Sequence, residues 1–386
     1  MRVAVDLIAA EYEPGALLLA TRSLLHGLAQ INQENEFIVL TVRPDDYQEL
    51  ATLPNMHIQS VSLPSQHGVL IQHQLFSPRI LQKIKPDILH VPAFAAPVSW
   101  HGALVMTIHN LAFIKTLEQP LLYPRLHHNY LQRASAYRAQ RIITTSEQTR
   151  QHITEHWSMP AERLCLIYRA LRPSLQRATI SETAIQAMHS RYGQRYLLHV
   201  DRIMPSKNVG RLIKAFDLLA ARLPDLHLVL TGGLDYASPK EVQLIETSPY
   251  RKRIHLAGWI AEEDLGPLYA GASILILPSR HEGQDISILE AMACGTPVIA
   301  SYEAANMEIA DDSILRTDCS STLPLVEAIA HILTDEKLRA HLIQAGYKQI
   351  QPFHHQTCAR ATLQVYQEAL DMYRYSFSDK IQAVYR

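Results

Sequence analysis

The feature that most constrains the fold is a repeated alternation of short, β-branched apolar runs with segments of helical periodicity, which extends over most of the 386 residues. In the first half the runs read RVAVDLI, EFIVLTV, DILHV, ALVMTI and RIITTS, and the helical segment LLLATRSLLHGLAQ follows the first of them. Alternation of this kind predicts parallel strands joined by crossover helices.

The pattern restarts after a Pro- and Arg-containing stretch at 168–178, with the runs RYLLHV, LHLVLTGG, RIHLAG, ASILILPS and TPVIAS. A chain of this length exceeds the size at which one hydrophobic core usually stops growing. We therefore predict an α/β protein with two doubly wound, Rossmann-like domains facing a cleft. The predicted N-terminal domain is 1–175, the predicted C-terminal domain is 176–363, and a helical segment at 364–386 is expected to pack back on the first domain.

Charge and composition exclude several classes of protein. The formal net charge is −1 and charged residues make up 19% of the chain, so no global field would draw it onto nucleic acid. The stretch 121–177 is an exception, with nine Arg and no Lys against three Glu. It predicts either a patch that meets an anionic acceptor or the surface of a membrane, or a solvated face.

Three features predict a cytoplasmic protein, with the inner membrane face as its one candidate membrane contact. The four cysteines show no spacing typical of zinc sites or disulfide frameworks. The N-terminus, MRVAVDLIAAEYEPG, lacks the long uncharged core of a signal peptide. Residues 88–114 carry no formal charge but contain Pro, Gly, His and Asn, so we expect two buried strands there and no membrane span.

Two cations lie between a predicted strand and a predicted helix in LLHVDRIMPSKNVGRLIKAF. Arg202 and Lys207 occupy the connecting loop, and Asn208 is placed to cap the helix. Helix N-termini favour phosphate, and both cations would add charge-assisted bonds to a diphosphate. Two solvated loop cations explain the pattern about equally well.

Other candidate residues also follow apolar runs, where open parallel sheets bind their ligands. Gly232 and Gly233 would let a phosphate or sugar approach the backbone, although a plain tight turn is an equal alternative. Trp259 and Ile260 would flank a nucleobase or pack in a core. His109 follows ALVMTI, and with 20 histidines in the chain a structural role is its default interpretation.

Two glutamates, Glu282 and Glu290, stand eight positions apart in HEGQDISILEAMACGTPVIAS. Carboxylates suit sugar hydroxyls because they accept several hydrogen bonds. Spacing alone slightly favours a different role for Glu290, as the partner of Ser287 in a Ser-x-x-Glu capping box. No Asp-x-Asp pair at a strand end and no His-Glu-x-x-His motif occurs, so we expect no metal and no other cofactor.

Taken together, HVDRIMPSKNVGRLIKAF, EGQDISILEAMACGTPVIAS and TIHNLAF resemble the Arg-x4-Lys loop, the Glu-x7-Glu signature and the strand-end His motif of the GT-B retaining glycosyltransferases of family 4. This resemblance extends over almost the whole chain. It implies a hexosyltransferase that retains the anomeric configuration, takes a nucleotide-diphosphate sugar and adds the sugar to a glycan or lipid-linked acceptor.

The resemblance also implies roles for individual residues. Arg202 and Lys207 would bind the diphosphate, Glu282 and His109 would contact the transferred sugar, and Glu290 would hold the ribose hydroxyls. For Glu290, the resemblance therefore favours a role in binding the donor over the capping-box role that spacing alone favoured. By the same resemblance, Gly15 in the N-terminal loop would contact an acceptor or a phosphate. The remaining residues that would contact the donor are Gly232, Gly233, Ile260, Gly283, Gln284, Asp285 and Leu289.

Gln284, Asp285 and Ser287 depart from the family pattern, which commonly reads Glu-Gly-Phe-Gly before the apolar run and has a proline within it. Gly15 also stands alone where two glycines are common. These departures leave two alternatives open. One is a non-catalytic GT-B partner subunit that keeps nucleotide or protein binding, and the other is a GT-B enzyme that epimerises or hydrolyses a sugar nucleotide.

Overall fold

A computed structural model describes residues 1–12, 16–31, 34–63, 69–109, 111, 127–169, 171–172, 174–235, 237–279, 286–302, 309–310 and 312–384. The chain divides into two compact units. Unit 1 comprises Met1–Ala170 and Phe353–Arg386, and unit 2 comprises Leu171–Pro352. The chain thus returns to unit 1 at Phe353, before the position 364 that the sequence indicated.

Unit 1 contains a parallel seven-stranded sheet in the order β3-β2-β1-β4-β5-β6-β7. Its strands are β1 (Arg2–Asp6), β2 (Glu36–Thr41), β3 (Met56–Ser60), β4 (Ile88–Val91), β5 (Ala103–Ile108), β6 (Arg141–Thr144) and β7 (Leu164–Leu166). Its helices are α1 (Ala16–Ile31), α2 (Gln48–Ala51), α3 (Val69–Ile84), α4 (Arg133–Arg138), α5 (Glu147–Trp157) and the C-terminal α13 (His355–Val384).

Both faces of the inner strands of this sheet are buried, as expected where helices cover a parallel sheet on each side. Successive residues of β5 alternate between the two cores: Val105 packs in one cluster, and Leu104 and Met106 pack in the other. The first cluster includes residues of α1 and α13. Helix α13 packs against α1 at Gly27, where a side chain would lie 2.7 Å from the carbonyl oxygen of His355.

Unit 2 contains a parallel six-stranded sheet in the order β10-β9-β8-β11-β12-β13. Its strands are β8 (Arg195–His199), β9 (Leu226–Thr231), β10 (Ile254–Gly258), β11 (Ile274–Leu277), β12 (Val298–Ser301) and β13 (Leu315–Thr317). Its helices are α6 (Glu182–Tyr192), α7 (Val209–Ala220), α8 (Pro239–Glu246), α9 (Glu262–Gly271), α10 (Ile286–Ala293), α11 (Thr322–Thr334) and α12 (Glu336–Gln349).

The prediction of two doubly wound, Rossmann-like sheets is confirmed. Strand order reverses between β1 and β4 in unit 1 and between β8 and β11 in unit 2, and ligands of such sheets bind outside the strand ends at these points. The two strands expected in the uncharged stretch are β4 and β5. Among the described residues, no helix combines the length and apolar character that a membrane span requires.

The arginine-rich stretch 121–177 is largely committed to internal contacts where it is described. Arg163 donates to the carbonyl oxygens of Ala136 and Tyr137, near the end of α4. Carbonyl oxygens or carboxylates of the same unit bind the guanidinium groups of Arg138, Arg141, Arg150, Arg163, Arg172 and Arg177. These bonds favour a structural role for most of the stretch, and contact with a membrane stays a prediction.

Candidate donor-binding site

The loop between β8 and α7 carries both predicted phosphate-binding cations. Arg202 lies three residues after the end of β8, and Lys207 ends a short 3-10 turn directly before α7. Lys207 forms an ion pair with Asp201, which also accepts a hydrogen bond from the backbone N–H of Arg202 at 2.6 Å. Burial opposes ionisation of Asp201, but the charge of Lys207 lowers the pKa of its carboxyl group. The ion pair therefore fixes Lys207 at the N-terminus of α7, beside the reversal of strand order.

Asn208 stands at the predicted position before α7, but its side chain makes no capping hydrogen bond. Its Nδ2 donates to the carbonyl oxygens of Cys319 at 2.7 Å and Pro278 at 3.2 Å. The capping prediction is therefore wrong, because the amide turns into the protein and satisfies two buried carbonyl groups. These bonds tie the β8–α7 loop to the segments that follow β11 and β13.

Gly232 brings the ends of three strands together. Its backbone is left-handed, with φ of +80°, and its N–H donates to the carbonyl oxygen of Gly258 at 2.8 Å. A Cβ atom here would lie 2.6 Å from the carbonyl oxygen of Asp201 and 3.0 Å from the Cα of Arg202. Gly232 therefore does more than form a turn, since its missing side chain lets the cation-bearing loop pack against the end of β9. At Gly233, a Cβ atom would meet the carboxylate of Asp235.

We expect Gly232→Ala to destabilise unit 2 more than Gly258→Ala does. Both glycines are left-handed, so each substitution adds strain of about 1–2 kcal/mol. A Cβ atom on Gly258 has no neighbour within 4 Å among the described atoms, whereas one on Gly232 collides with backbone and should cost a further 1–3 kcal/mol, roughly. Urea unfolding of both variants measures the difference in the free energy of unfolding. Equal losses would show that the close approach has no energetic consequence.

Glu290 lies in the interior of unit 2 on helix α10, and its residue is 2% exposed. Its Oε1 accepts hydrogen bonds from Nε and a terminal nitrogen of Arg172 at 2.9 and 2.6 Å, and its Oε2 accepts one from the hydroxyl of Tyr269 at 3.0 Å. The capping-box interpretation is wrong, because Ser287 already lies within α10 and the carboxylate points to these two partners. Leu289, its neighbour, is fully buried.

His109 follows β5 in unit 1. Its Nε2 lies 3.0 Å from the carbonyl oxygen of Pro92, which places the proton on Nε2. The hydroxyls of Thr145 and Thr149 donate to its backbone oxygen at 3.3 and 3.1 Å. Burial, followed by the charge of Arg169, lowers the pKa of His109 to about 3. The imidazole is therefore neutral at pH 7, and its buried Nδ1 has no hydrogen-bond partner among the described residues.

The remaining predicted residues divide into two groups. Trp259 is 67% exposed after β10, which excludes the core-packing alternative for it, and Ile260 beside it is half-buried. The other predicted positions lie outside the described residues: Gly15, Glu282, Gly283, Gln284 and Asp285. Within the described part of the chain, no group of three or more His, Cys, Asp or Glu side chains is arranged to hold a metal ion.

Sequence reasoning missed three residues of the site. Asp201 stands next to Arg202, and an acidic residue six positions before Lys207 was a local signal of their ion pair. Arg172 and Tyr269 left no such signal. Arg172 lies 118 residues from Glu290, so that only the folded chain brings them together.

Known proteins resemble this chain in sequence and in fold. The model of glycosyltransferase family 4 matches residues 20–175, and the model of the group 1 glycosyl transferases matches 181–349. Together the two matches span most of the chain. O-antigen chain mannosyltransferase B of Escherichia coli is 27% identical over 337 residues, which cover 81% of this chain and 87% of that protein.

Solved structures with the same architecture include two that align along nearly the full chain. Sucrose-phosphate synthase from Thermosynechococcus elongatus has a TM-score of 0.76 and 19% identity. The match covers 96% of this chain and all of that one. HepE from Anabaena, in complex with UDP and glucose, has a TM-score of 0.74 and 16% identity, covering 95% of this chain and 99% of that one. The chain therefore belongs to the family 4 glycosyltransferases, has their GT-B fold, and transfers a sugar from a nucleotide-sugar donor.

Proposed function

We propose that this enzyme transfers mannose from a nucleoside-diphosphate donor to a glycan or lipid-linked acceptor, with retention of the anomeric configuration and without a metal ion. The observation that carries the proposal is the pair of cations, Arg202 and Lys207, in the loop before α7. The mannosyl group is suggested by the activity for which the E. coli relative is named. Retention rests on the resemblance of the motifs to the family.

The chemistry of transfer explains why two fixed cations matter. As the bond to the anomeric carbon breaks, negative charge builds on the departing nucleoside diphosphate. Enzymes stabilise such charge with metal ions or with preorganised cations and backbone N–H groups. Lys207, held by Asp201 and adjacent to the N-terminus of a 12-residue helix, is preorganised in this sense. Arg202 in the same loop adds a second permanent charge, so the cations can take the place of a metal.

The kind of acceptor decides whether the enzyme needs to contact a membrane. A lipid-linked glycan would bring the enzyme to an anionic surface, which is where the predicted peripheral contact of the 121–177 stretch would act. A polysaccharide or small glycan acceptor requires no such contact. Product analysis distinguishes a transferase from the two alternatives. A non-catalytic partner subunit would give no product, and an epimerase or hydrolase would change the donor without an acceptor.

The test is a transfer assay in EDTA with GDP-mannose, UDP-glucose and a panel of glycan and lipid-linked acceptors. We expect transfer from GDP-mannose that EDTA leaves unchanged, and a product whose anomeric configuration, read by NMR, matches that of the donor. Inversion would overturn the retaining assignment, and loss of transfer in EDTA with recovery on adding Mg²⁺ would overturn metal independence. Consumption of donor without acceptor would favour the hydrolase or epimerase.

A further inference from the structure

A carboxylate lies directly beside the two cations of the β8–α7 loop. Asp201 stands two residues after the end of β8, and its Oδ2 forms the ion pair with Nζ of Lys207. Its Oδ1 accepts the hydrogen bond from the backbone N–H of Arg202 at 2.6 Å. The side chain of Asp201 is 28% exposed and that of Lys207 is 14% exposed, so a ligand that reaches Lys207 also meets the carboxylate.

The fold holds Asp201 in this position. Its carbonyl oxygen packs against Gly232, where a Cβ atom would lie only 2.6 Å away, and both oxygens of its carboxylate are bonded within the loop. The carboxylate therefore stays in place when a ligand arrives. A phosphate oxygen that binds Lys207 lies within about 6 Å of it, which is the length of two successive charge-assisted contacts of about 2.8 Å each.

Asp201 is ionised in this arrangement. Burial alone would raise the pKa of its carboxyl group, but the charge of Lys207 outweighs burial and lowers the pKa. Arg202 and Lys207 each carry a positive charge at neutral pH. Asp201 therefore balances one of these two charges inside the loop before any ligand binds.

The donor of a glycosyltransferase and its nucleotide product differ in charge. In a sugar nucleotide, each phosphate of the diphosphate carries one negative charge. Once the sugar has left, the outer phosphate is a terminal one, and its second proton dissociates near about pH 6. The free nucleoside diphosphate thus carries about one negative charge more than the donor at neutral pH and above. Cations that stabilise the departing diphosphate therefore also favour the product over the donor.

We propose that Asp201 determines the selectivity for the donor over the nucleoside-diphosphate product, because its fixed negative charge repels the extra charge of the product. The inference rests on the proposed function, since it requires a diphosphate at Arg202 and Lys207. At about 6 Å, repulsion between two unit charges changes affinity about threefold in water and about 100-fold at the effective dielectric constant near a protein surface. For a partly exposed carboxylate we expect about tenfold.

The experiment measures Kd by calorimetry, in EDTA at pH 8, for UDP, UDP-glucose, GDP and GDP-mannose. For the base that binds, the selectivity ratio is the Kd of the sugar conjugate divided by the Kd of the free diphosphate. We expect Asp201→Asn to raise this ratio about tenfold, because the product gains more than the donor from the loss of a negative charge. If Asp201 only ordered the loop, its substitution would weaken both ligands alike and leave the ratio unchanged.

Three further variants isolate the charge of Asp201. Asp201→Glu keeps the charge, so the ratio should stay within about twofold of that of the unmodified enzyme. Asp201→Ser removes the charge with a smaller side chain, and it replaces Asp201→Asn if that variant fails to fold. Asp225→Asn is the matched control, because Asp225 is an exposed residue at the amino end of β9, paired with Arg195 at 3.7 Å. Its loss should leave the ratio unchanged, since solvent and salt screen an exposed charge at that distance.

An unchanged ratio in Asp201→Asn and Asp201→Ser would overturn the proposal, as would a tenfold rise in Asp201→Glu or Asp225→Asn. Failure of the proposed function has a different signature. Nucleotide binding that depends on Arg202, with a ratio that no substitution of Asp201 alters, would overturn the inference alone. Absence of binding by all four nucleotides would overturn both.

Discussion

Replacing Arg202 or Lys207 by alanine is expected to lower kcat by about 10²–10³-fold, because each removes a preorganised charge that stabilises the departing diphosphate. The loss should appear in kcat more than in KM, since the charge on the diphosphate grows as the glycosidic bond breaks. For Lys207→Ala the loss has a second source. Asp201 would then stand unpaired beside the phosphate site and repel the leaving group.

Steady-state kinetics with the donor varied measures this effect. Lys214→Ala is the matched control, because Lys214 lies on the same helix, beyond its first turn, and should leave kcat within about twofold. Turnover close to that of the unmodified enzyme in both Arg202→Ala and Lys207→Ala would refute the assignment of these residues. A loss of equal size in Lys214→Ala would show that charge anywhere on α7 suffices.

Acidification is expected to unfold the protein through its buried histidines. His90 is fully buried between Tyr366 and Thr107, and burial lowers its pKa from 6.5 to about 3. Burial also lowers the pKa of His109 to about 3 and lowers that of His199. Because the folded values lie below the unfolded ones, the folded state binds fewer protons. Their stabilisation is complete above about pH 6.5 and is lost as the pH falls from there towards 3.

The size of this effect is considerable against a total stability of about 5–15 kcal/mol. Each such histidine contributes a slope of up to about 1.4 kcal/mol per pH unit, so His90 alone should remove about 2 kcal/mol between pH 6.5 and 5. Denaturant unfolding at several pH values measures the slope. His90→Gln keeps hydrogen-bonding atoms but does not titrate. It should therefore lower the slope by about 1.4 kcal/mol per pH unit, which corresponds to the uptake of one proton on unfolding. Parallel slopes for His90→Gln and the unmodified protein would contradict this expectation.

Every interior strand of the described residues was predictable from the sequence, whereas of their four edge strands only β10 was. The runs that became β1, β8 and β11 have uninterrupted apolar centres, Val3–Val5, Tyr196–Leu198 and Ile274–Leu277, because helices cover both faces of a parallel sheet. The missed strands β3, β7 and β13 lie at or beside sheet edges, are short, and expose part of their residues, so they lack such runs.

In the site, the positions of residues along the chain were predictable from the sequence, whereas the orientations of their side chains were not. A loop between a strand and a helix placed Arg202 and Lys207 correctly, because their positions depend on local chain geometry. The orientation of side chains depends on partners far along the chain. Asn208 turned to carbonyl groups 70 and 111 residues away, and Glu290 to an arginine 118 residues before it. No local sequence pattern predicts the hydrogen-bond partners of Asn208 or of Glu290.

The loop before α7 is proposed to bind the diphosphate of a sugar nucleotide without metal. Thermal-shift measurements in EDTA with UDP, GDP and ADP and their sugar conjugates test it most directly, because a ligand that binds only the folded state must raise its stability. We predict a concentration-dependent rise in Tm with one of the three diphosphates, which Arg202→Ala abolishes and Lys214→Ala keeps. No rise with any of them, or an equal rise in Arg202→Ala, would contradict the claim.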